Sequence, residues 1–201
     1  EFNKAIDNGG VIIDMRNFYE SEIGKFEDAI MPDVDTSKEL LPTVKKLLSK
    51  NKDDKILMYC TGGIRCEKAS SYLIHHGFND VNQLDGGIIK YTQDIRENKC
   101  KSKFIGKNFV FDGRLGERIT NDILSNCHLC DSPADTHVNC DNQACHILFI
   151  QCDICNEKYS GCCSIDCKEI AAMPIEKQRE IRKKARSKNS SLHYKRDRLK
   201  Y

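Results

Sequence analysis

Nine of the twelve cysteines lie between residues 127 and 167, and most of them come in close pairs. The segment has few large apolar side chains between its thiols, so a hydrophobic core alone would hold it weakly. Paired cysteines at this spacing indicate a metal site in a reducing compartment and disulfides in a secreted protein. We favour metal, so the pattern predicts a small module that folds around bound zinc.

Two closed zinc sites account for most of these thiols, because each short turn can present two thiolates to a tetrahedral ion. The first predicted site uses two Cys-x-x-Cys pairs, which are Cys127, Cys130, Cys152 and Cys155. The second uses the remaining thiols with one choice left open, namely Cys140, Cys145, Cys167 and either Cys162 or Cys163. Such sites are structural, because they leave no position for water. Disulfides formed after isolation are the alternative.

The first 100 residues alternate between strand and helix patterns. Short apolar runs predict strands over residues 10–14, 55–59 and 80–84. Amphipathic or capped stretches predict helices over residues 36–50, 66–76 and 86–98. This alternation is typical of an α/β fold with a parallel sheet covered by helices on both faces. Ligands of such folds bind beyond the carboxyl ends of the strands.

A short turn follows the second of these strands at such a position, and its residues are Cys60, Thr61, Gly62, Gly63, Ile64 and Arg65. The glycines let backbone N–H groups converge on one point, the next helix adds the positive end of its dipole, and Arg65 adds a full charge. Such surroundings lower a cysteine pKa from about 8.5 into the range of about 3.5 to 7.5. The turn therefore predicts a reactive Cys60 thiolate with residues 61–64 as its substrate-binding loop. The alternative is a buried structural cysteine.

Four regions are expected along the chain. They are an α/β domain at residues 1–100, a connecting segment at 101–126, the Cys-rich zinc-binding module at 127–173, and a basic C-terminal helix and tail at 174–201. The last region holds eleven Lys or Arg and three acidic residues, whereas the whole chain has a formal net charge of +2. A basic tail of this kind favours a polyanionic partner such as RNA, and a solvated terminus is the alternative.

The sequence contains no apolar run that approaches the length of a membrane-spanning helix, and its first residues lack the pattern of a signal peptide. We therefore expect a soluble, cytoplasmic protein without a membrane partner. The chain does not begin with Met, so we also expect that a further segment precedes it.

Several separated motifs resemble a rhodanese domain, and they are residues 13–17 (Ile-Asp-Met-Arg-Asn), Glu20, residues 23–24, residues 29–30, the turn at 60–65, and residues 85–87 (Asp-Gly-Gly). Within that superfamily, residues 58–69 and 86–91 are similar to the oxygen-dependent tRNA uridine-34 hydroxylase family. The Phe-Val-Phe-Asp-x-Arg run at residues 109–114 and the first Cys-x-x-Cys pair also fit. The resemblance thus covers most of the chain.

The resemblance implies hydroxylation of the wobble uridine of tRNA, at position 34, to 5-hydroxyuridine, with molecular oxygen as co-substrate. It makes Cys60 the active-site residue, described by analogy with sulfurtransferases as a persulfide carrier, and residues 61–65 the loop that holds the distal sulfur or the substrate. Asp14 and Arg16 match the family's Asp-x-Arg signature, and we expect Asp14 to brace this loop. Members of the family carry a small ferredoxin-like domain ahead of the rhodanese domain.

The chemistry of oxygen insertion is not evident from the motifs. The sequence has neither a dinucleotide fingerprint nor a two-His-one-carboxylate spacing, so we expect no flavin or dinucleotide. One hypothesis is that Cys60 adds to C6 of the uracil and activates C5 toward oxygen, while Arg65 stabilises the enolate oxygen. The alternatives are a thiosulfate-type sulfurtransferase with a persulfide on Cys60, and a zinc and rhodanese binding module without catalysis. Cys66 is expected to pack in the core, and a resolving thiol for Cys60 is its other interpretation.

Overall fold

The computed structural model describes residues 1–34 and 36–188, and these form two compact units. The first unit is Glu1–Asp122, and the second begins at Ile123. Within the described ranges, no helix combines the length and the apolar character needed to cross a bilayer. The predicted basic tail is covered in part, because residues 189–201 lie outside the described residues.

Helices and strands alternate through the first unit. In chain order they are α1 (Phe2–Asp7), β1 (Val11–Asp14), α2 (Phe18–Ser21), β2 (Gly24–Phe26), α3 (Ser37–Leu47), β3 (Lys55–Tyr59), α4 (Ile64–His75), β4 (Asp80–Gln83), α5 (Gly87–Glu97), β5 (Phe104–Asn108) and β6 (Glu117–Arg118). The three predicted strands correspond to β1, β3 and β4, and the three predicted helices correspond to α3, α4 and α5.

A parallel sheet in the order β1-β3-β4 forms the centre of the first unit. β3 pairs with both neighbours, with Ile13 opposite Met58 and Met58 opposite Gln83. Successive β3 side chains point to opposite faces of the sheet. Met58 joins the apolar cluster that includes residues of α3 and α4, whereas Leu57 and Tyr59 join the cluster that includes residues of α1 and α5. Helices therefore cover both faces, which confirms the predicted α/β class.

A second, antiparallel sheet in the order β2-β5-β6 was not predicted from the sequence. Strands β5 and β6 lie in the region that was expected to be only a connection. β2 is three residues long and β5 contains Gly106 at a φ of 86°, so neither shows a sustained alternating pattern. Phe26 of β2 joins this sheet to the core through aromatic pairs at centroid distances of 4.7 to 5.4 Å, with Phe2, Tyr59, Tyr91 and Phe104.

The described part of the second unit has short elements around cysteine side chains. They are β7 (His137–Asn139), β8 (Leu148–Ile150), α6 (Asp153–Tyr159), α7 (Ile165–Ala171) and α8 (Ile175–Lys188). β7 and β8 are antiparallel, with Val138 opposite Phe149. Ile147 and Phe149 pack in a cluster whose other buried members are cysteines. Thiols therefore fill space that aliphatic side chains fill in the first unit.

Candidate active site and metal centres

Cys60 lies where the central strand of the parallel sheet ends. It follows Tyr59, the last residue of β3, and α4 begins at Ile64. Gly63 precedes that helix at a φ of 92°, a conformation that favours glycine, and its N–H donates to Cys60 Sγ at 3.1 Å. Cys60 is 1% exposed, so its sulfur lies at the base of the turn while Ile64 is 80% exposed at the rim. The sulfur is thus held as an acceptor of backbone hydrogen bonds.

The surroundings of Cys60 favour its thiolate. Its pKa is lowered to about 5, mainly by a hydrogen bond from the Cys66 thiol, against the opposing effect of burial. The backbone N–H groups of Arg65 and Cys66 and the charge of Arg65 lower this pKa further. The pKa of Cys66 is raised, because its proton is held by Cys60 and because the thiol is buried. Cys66 therefore favours the thiolate of Cys60 and also lies in the core.

Glu20 is a site residue that the sequence analysis left without a role. Its carboxylate is fully buried and makes a two-point ion pair with Arg65, with Nη1 to Oε2 at 2.6 Å and Nη2 to Oε1 at 2.7 Å. Thr61 Oγ1 lies 3.4 Å from Oε1, and the N–H of Asn17 donates to Oε2 at 3.0 Å. The signal was a capping box, Asn17-x-x-Glu20, at the start of α2. Glu20 therefore ties both ends of the turn to α2.

Asp14 and Arg16 form a buried ion pair next to the segment that carries Glu20. Arg16 Nε donates to Asp14 Oδ1 at 2.9 Å and Nη2 donates to Oδ2 at 2.7 Å, and both side chains are fully buried. Burial alone would lower the pKa of Arg16, but the charge and hydrogen bonds of Asp14 raise it overall. Arg16 also donates to the backbone oxygens of Glu20, at 3.3 Å, and Gly24, at 2.6 Å. The pair thus braces the segment that carries Glu20.

The start of α5 forms a second support for the turn. The N–H groups of Ile88 and Ile89 donate to the carbonyl oxygens of Cys60 and Thr61 at 3.0 and 3.2 Å. Gly87 has a φ of 63°, and a Cβ there would lie 2.5 Å from the Cys60 oxygen. The Gly86-Gly87 motif therefore permits a close approach of two backbones. Hydrogen bonds to α2 or α5 therefore fix Cys60, Thr61 and Arg65, whereas Gly62 and Ile64 are exposed.

The second unit brings eight thiols into two groups of four. Within each group the sulfur atoms lie within 4.8 Å of one another, and the groups are Cys127, Cys130, Cys152 and Cys155, and then Cys140, Cys145, Cys163 and Cys167. Individual sulfur pairs are separated by 3.6 to 3.7 Å. A tetrahedral zinc with bonds of about 2.3 Å requires sulfur separations of about 3.8 Å, so each group could hold a metal ion and is compatible with zinc.

The fold distinguishes between Cys162 and Cys163 as members of the second four-cysteine group. Cys163 lies in the second group, whereas Cys162 lies outside both groups found among the described residues, so the geometry favours Cys163 for the position that the sequence left open. Adjacent residues in a non-helical segment direct their side chains to different sides. Cys162 is fully buried in the cluster with Ile147 and Phe149. It therefore contributes to packing.

Two domain families match this chain. Residues 1–94 match the Rhodanese-like domain, and residues 105–168 match the family described as Rhodanase C-terminal. The first match covers the turn at Cys60, and the second covers most of β5, all of β6 and nearly all of the Cys-rich segment.

Curated relatives extend the match to nearly the whole chain. A tRNA uridine(34) hydroxylase from Leptospira interrogans is 55% identical over 184 residues, which are 91% of this chain and 50% of that protein. Another from Enterobacter sp. is 50% identical over 200 residues, which are 99% of this chain and 57% of that protein. The chain spans about half the length of the curated relatives it matches. A solved rhodanese-like domain protein from Staphylococcus aureus is 24% identical, covers 44% of this chain and 82% of its own, and has a TM-score of 0.37.

Proposed function

We propose that the chain belongs to the rhodanese-like family of tRNA uridine(34) hydroxylases, to which it is similar over most of its length, and that it converts the wobble uridine of tRNA to 5-hydroxyuridine. Cys60 is the catalytic residue of this proposal, residues 61–64 contact the substrate, and Arg65 holds the loop and the thiolate in place. Molecular oxygen is the co-substrate. A tRNA substrate also places the protein in the cytoplasm in this proposal.

The observation that carries the proposal is the activated sulfur of Cys60. A thiol with a pKa of about 5 is almost entirely thiolate at neutral pH, and the thiolate is the nucleophilic form. The turn holds this thiolate with backbone N–H groups, and Glu20 holds Arg65 beside it. A cysteine that served packing alone would have its pKa raised by burial. The site is therefore suited to attack on an electrophilic carbon such as C6 of uracil.

The proposed reaction begins when the Cys60 sulfur bonds to C6 and the electron pair of the C5–C6 bond moves toward C5 and O4. C5 then reacts with oxygen and acquires one oxygen atom. Loss of the proton from C5 expels the thiolate and restores the ring. The second oxygen atom leaves as water, which takes two protons and two electrons from an external reductant of the thiol class.

The role of Arg65 in stabilising the enolate oxygen stays a prediction. Both of its Nη atoms bind Glu20, and its side chain is 24% exposed. We propose that its main contributions are the geometry of the loop and its charge near Cys60. Its ion pair with a buried carboxylate supports this division of roles, because the guanidinium is already neutralised on one side.

Nucleoside mass spectrometry on tRNA tests the proposed function. Protein, unmodified tRNA, oxygen and a thiol reductant are expected to yield 5-hydroxyuridine at position 34. Cys60→Ser is expected to abolish the product, because an alcohol is not ionised at neutral pH. Cys100→Ser is the matched control, since Cys100 is exposed and lies outside the loop. Product formation by Cys60→Ser would disprove the thiolate mechanism.

Sulfur transfer is the second candidate, and the hydrogen bond from the Gly63 N–H to Cys60 Sγ favours it. A turn whose backbone N–H donates to a sulfur atom could also donate to the outer sulfur of a persulfide. In that case the Cys60 thiolate bonds to the outer sulfur of thiosulfate and displaces sulfite, and cyanide then takes this sulfur as thiocyanate and releases the thiolate. Rapid thiosulfate-dependent thiocyanate formation, with no change in tRNA mass, would support this candidate. If Cys60→Ala left the cellular role intact, a binding module without catalysis would be favoured.

We further propose that two zinc ions occupy the two four-cysteine groups and have a structural role. The donor sets contain four thiolates each, so no coordination position is left for a reacting water. In this proposal the zinc-bound unit presents α8 to the phosphate backbone of tRNA. Exposed basic residues of that helix include Lys177, Arg179 and Lys183. A weaker dependence of tRNA affinity on salt in variants that neutralise them would support this role.

A further inference from the structure

A short aromatic ladder leads from the wall of the active site to the surface of the first unit. The ring of Tyr19 packs edge-on against Phe109 with a centroid distance of 5.3 Å, and Phe109 packs edge-on against Phe111 at 5.2 Å. Phe109 is buried, whereas Phe111 is 67% exposed. One end of the ladder is therefore in solvent.

The inner end of the ladder lies beside the residues that hold the Cys60 turn. Tyr19 directly precedes Glu20 in α2. Burial raises the pKa of Tyr19, and the charges of Glu20 and Arg65 both act on its hydroxyl. Arg65 is in turn bound by Glu20 through two short hydrogen bonds. The ladder therefore ends at the chain neighbour of Glu20, the residue that holds Arg65 of the proposed catalytic loop.

The outer end of the ladder is unusual in its exposure. Among the phenylalanines and tyrosines that the structure describes, Phe111 is the exposed one, and the others are buried or half-buried. An exposed phenylalanine ring offers a rigid, flat apolar face on which another ring can stack. Phe111 is also held in position by Phe109, so it presents a ring without a large loss of freedom on binding.

An oriented cation lies in the same turn. Arg114 binds Asp112 through Nε to Oδ1 at 3.0 Å and Nη2 to Oδ2 at 2.7 Å, and its side chain is 63% exposed. The buried pair of Asp14 and Arg16 has nearly the same geometry but supports the backbone. The exposed pair contributes little to stability, but it fixes the direction of the Arg114 guanidinium. An exposed guanidinium in the same turn as an exposed aromatic ring suits a phosphate next to an unstacked base.

We propose that Phe111 is a stacking platform for an unpaired base of the tRNA anticodon loop next to the wobble uridine, with Arg114 at the adjoining phosphate. This inference rests on the proposed function for the identity of the RNA. Single-stranded bases are recognised by stacking on aromatic side chains, and every base offers a suitable face. Two ring contacts connect this platform to Tyr19, the chain neighbour of Glu20, and in this proposal a base bound there holds its neighbour near Cys60.

A fluorescence titration tests the stacking directly. The chain contains no tryptophan, so Phe111→Trp introduces a single indole whose emission reports this position alone. Adding an anticodon stem-loop RNA with uridine at position 34 is expected to quench the emission by stacking. Ile74→Trp is the matched control, because Ile74 is 58% exposed near the far end of α4, and its emission is expected to change little. Equal quenching at both positions, or at neither, would overturn the proposal.

Substitutions that keep or remove the ring separate stacking from general apolar contact. Phe111→Leu is expected to raise the Kd for the stem-loop about tenfold, whereas Phe111→Tyr is expected to leave it unchanged. Equal affinities for the two variants would overturn the proposal. So would a dimer of the wild-type chain that dissociates in Phe111→Leu, because the platform would then serve a second copy.

These binding experiments do not depend on turnover. If the wild-type protein binds the stem-loop through Phe111 but makes no 5-hydroxyuridine, the hydroxylase proposal fails and the platform stands. If the protein makes 5-hydroxyuridine and Phe111→Leu has wild-type Kd and KM, the platform fails and the hydroxylase proposal stands.

Discussion

In the first unit, aromatic and aliphatic side chains fill the interior on both faces of a sheet, whereas in the second unit cysteine thiols occupy much of the interior. Apolar burial stabilises in proportion to the area removed from water, so it is shared among many residues. Metal coordination concentrates stability in a few bonds and requires the complete donor set. Because of this difference, we expect the second unit to unfold when metal is removed and the first unit to unfold when apolar contacts are lost.

The largest expected effect is the loss of the second unit when metal is removed. A strong zinc chelator is expected to abolish hydrogen-exchange protection in β7, β8, α6 and α7, while β1, β3 and β4 stay protected. Metal binding at each site contributes on the order of 10 kcal/mol to folding, more than this small interior could replace. Hydrogen exchange with mass spectrometry gives the measurement. Protection in both units after complete metal removal would contradict the comparison.

The adjacent residues Cys162 and Cys163 provide a matched pair for testing which thiols bind zinc. Cys163→Ser is expected to reduce the bound zinc from two ions to one per chain, because Cys163 belongs to one of the four-cysteine groups. Cys162→Ser should keep both ions, since Cys162 lies outside the groups. The zinc content of each purified variant decides between them. Loss of one ion in both variants would mean that Cys162 is also required.

The next largest effect should come from the aromatic core of the first unit. Phe26→Ala removes a fully buried ring that contacts four other aromatic rings and is expected to cost about 3–5 kcal/mol of unfolding free energy. Urea unfolding, monitored by hydrogen exchange in β1 and β3, measures this loss of unfolding free energy. The zinc content should remain at two ions per chain. A Phe26→Ala protein with the wild-type free energy of unfolding would show that the aromatic core is not the main source of stability in the first unit.

A smaller effect is expected where the Cys60 turn meets α5. Gly87→Ala places a Cβ 2.5 Å from the Cys60 oxygen at a φ of 63°, so the turn must shift at a cost of about 1–3 kcal/mol. Gly62→Ala is the matched control in the same loop, because a Cβ there meets no atom within 4 Å. A lower free energy of urea unfolding for Gly87→Ala than for Gly62→Ala would locate the constraint. Equal free energies of unfolding for the two variants would contradict it.

The smallest effect concerns the charge of Cys60. Cys66→Ala removes the largest contribution to the low pKa, so the thiolate midpoint should rise from about 5 toward the ordinary cysteine value. Absorbance of the thiolate at 240 nm, taken as the difference from the Cys60→Ser protein, measures this midpoint. An unchanged midpoint would show that backbone N–H groups and Arg65 are sufficient.

The same shift sets the sign of a pH effect on stability. The folded pKa of Cys60 is below the unfolded value, so the thiolate stabilises the fold at pH above the unfolded pKa. This contribution is lost as pH falls from about 9 to about 5. In Cys66→Ala the loss should end at a higher pH. Stability that rises as pH falls through this window would contradict the assignment.

Local patterns were sufficient for the parts of the site that are close in sequence. The turn at Cys60 follows a strand and precedes a helix in the sequence as it does in the structure, because turn, cap and period are local properties. Glu20 could not be assigned in this way. Its partner Arg65 is 45 residues away, and a capping box alone does not reveal which cation its carboxylate meets.

The second sheet shows a related limit. β2 and β5 are each too short or too bent for periodicity to identify them, and their pairing joins residues 24–26 to residues 104–106. A Cβ at Gly24 would lie 2.1 Å from the Lys107 oxygen, so the close approach requires glycine. This requirement is visible once the strands are together, but a lone glycine in the sequence has many explanations.

The sequence by itself determined the α/β alternation, the strand–turn–helix arrangement at Cys60 and the grouping of most thiols, because each depends on short spacings along one chain. Tertiary structure alone decided that Glu20 holds Arg65, that Cys163 joins a four-cysteine group in place of Cys162, and that Phe111 lies in solvent at the end of an aromatic ladder. The physical reason is that these features depend on which distant segments the folded chain brings into contact, and no local propensity specifies that.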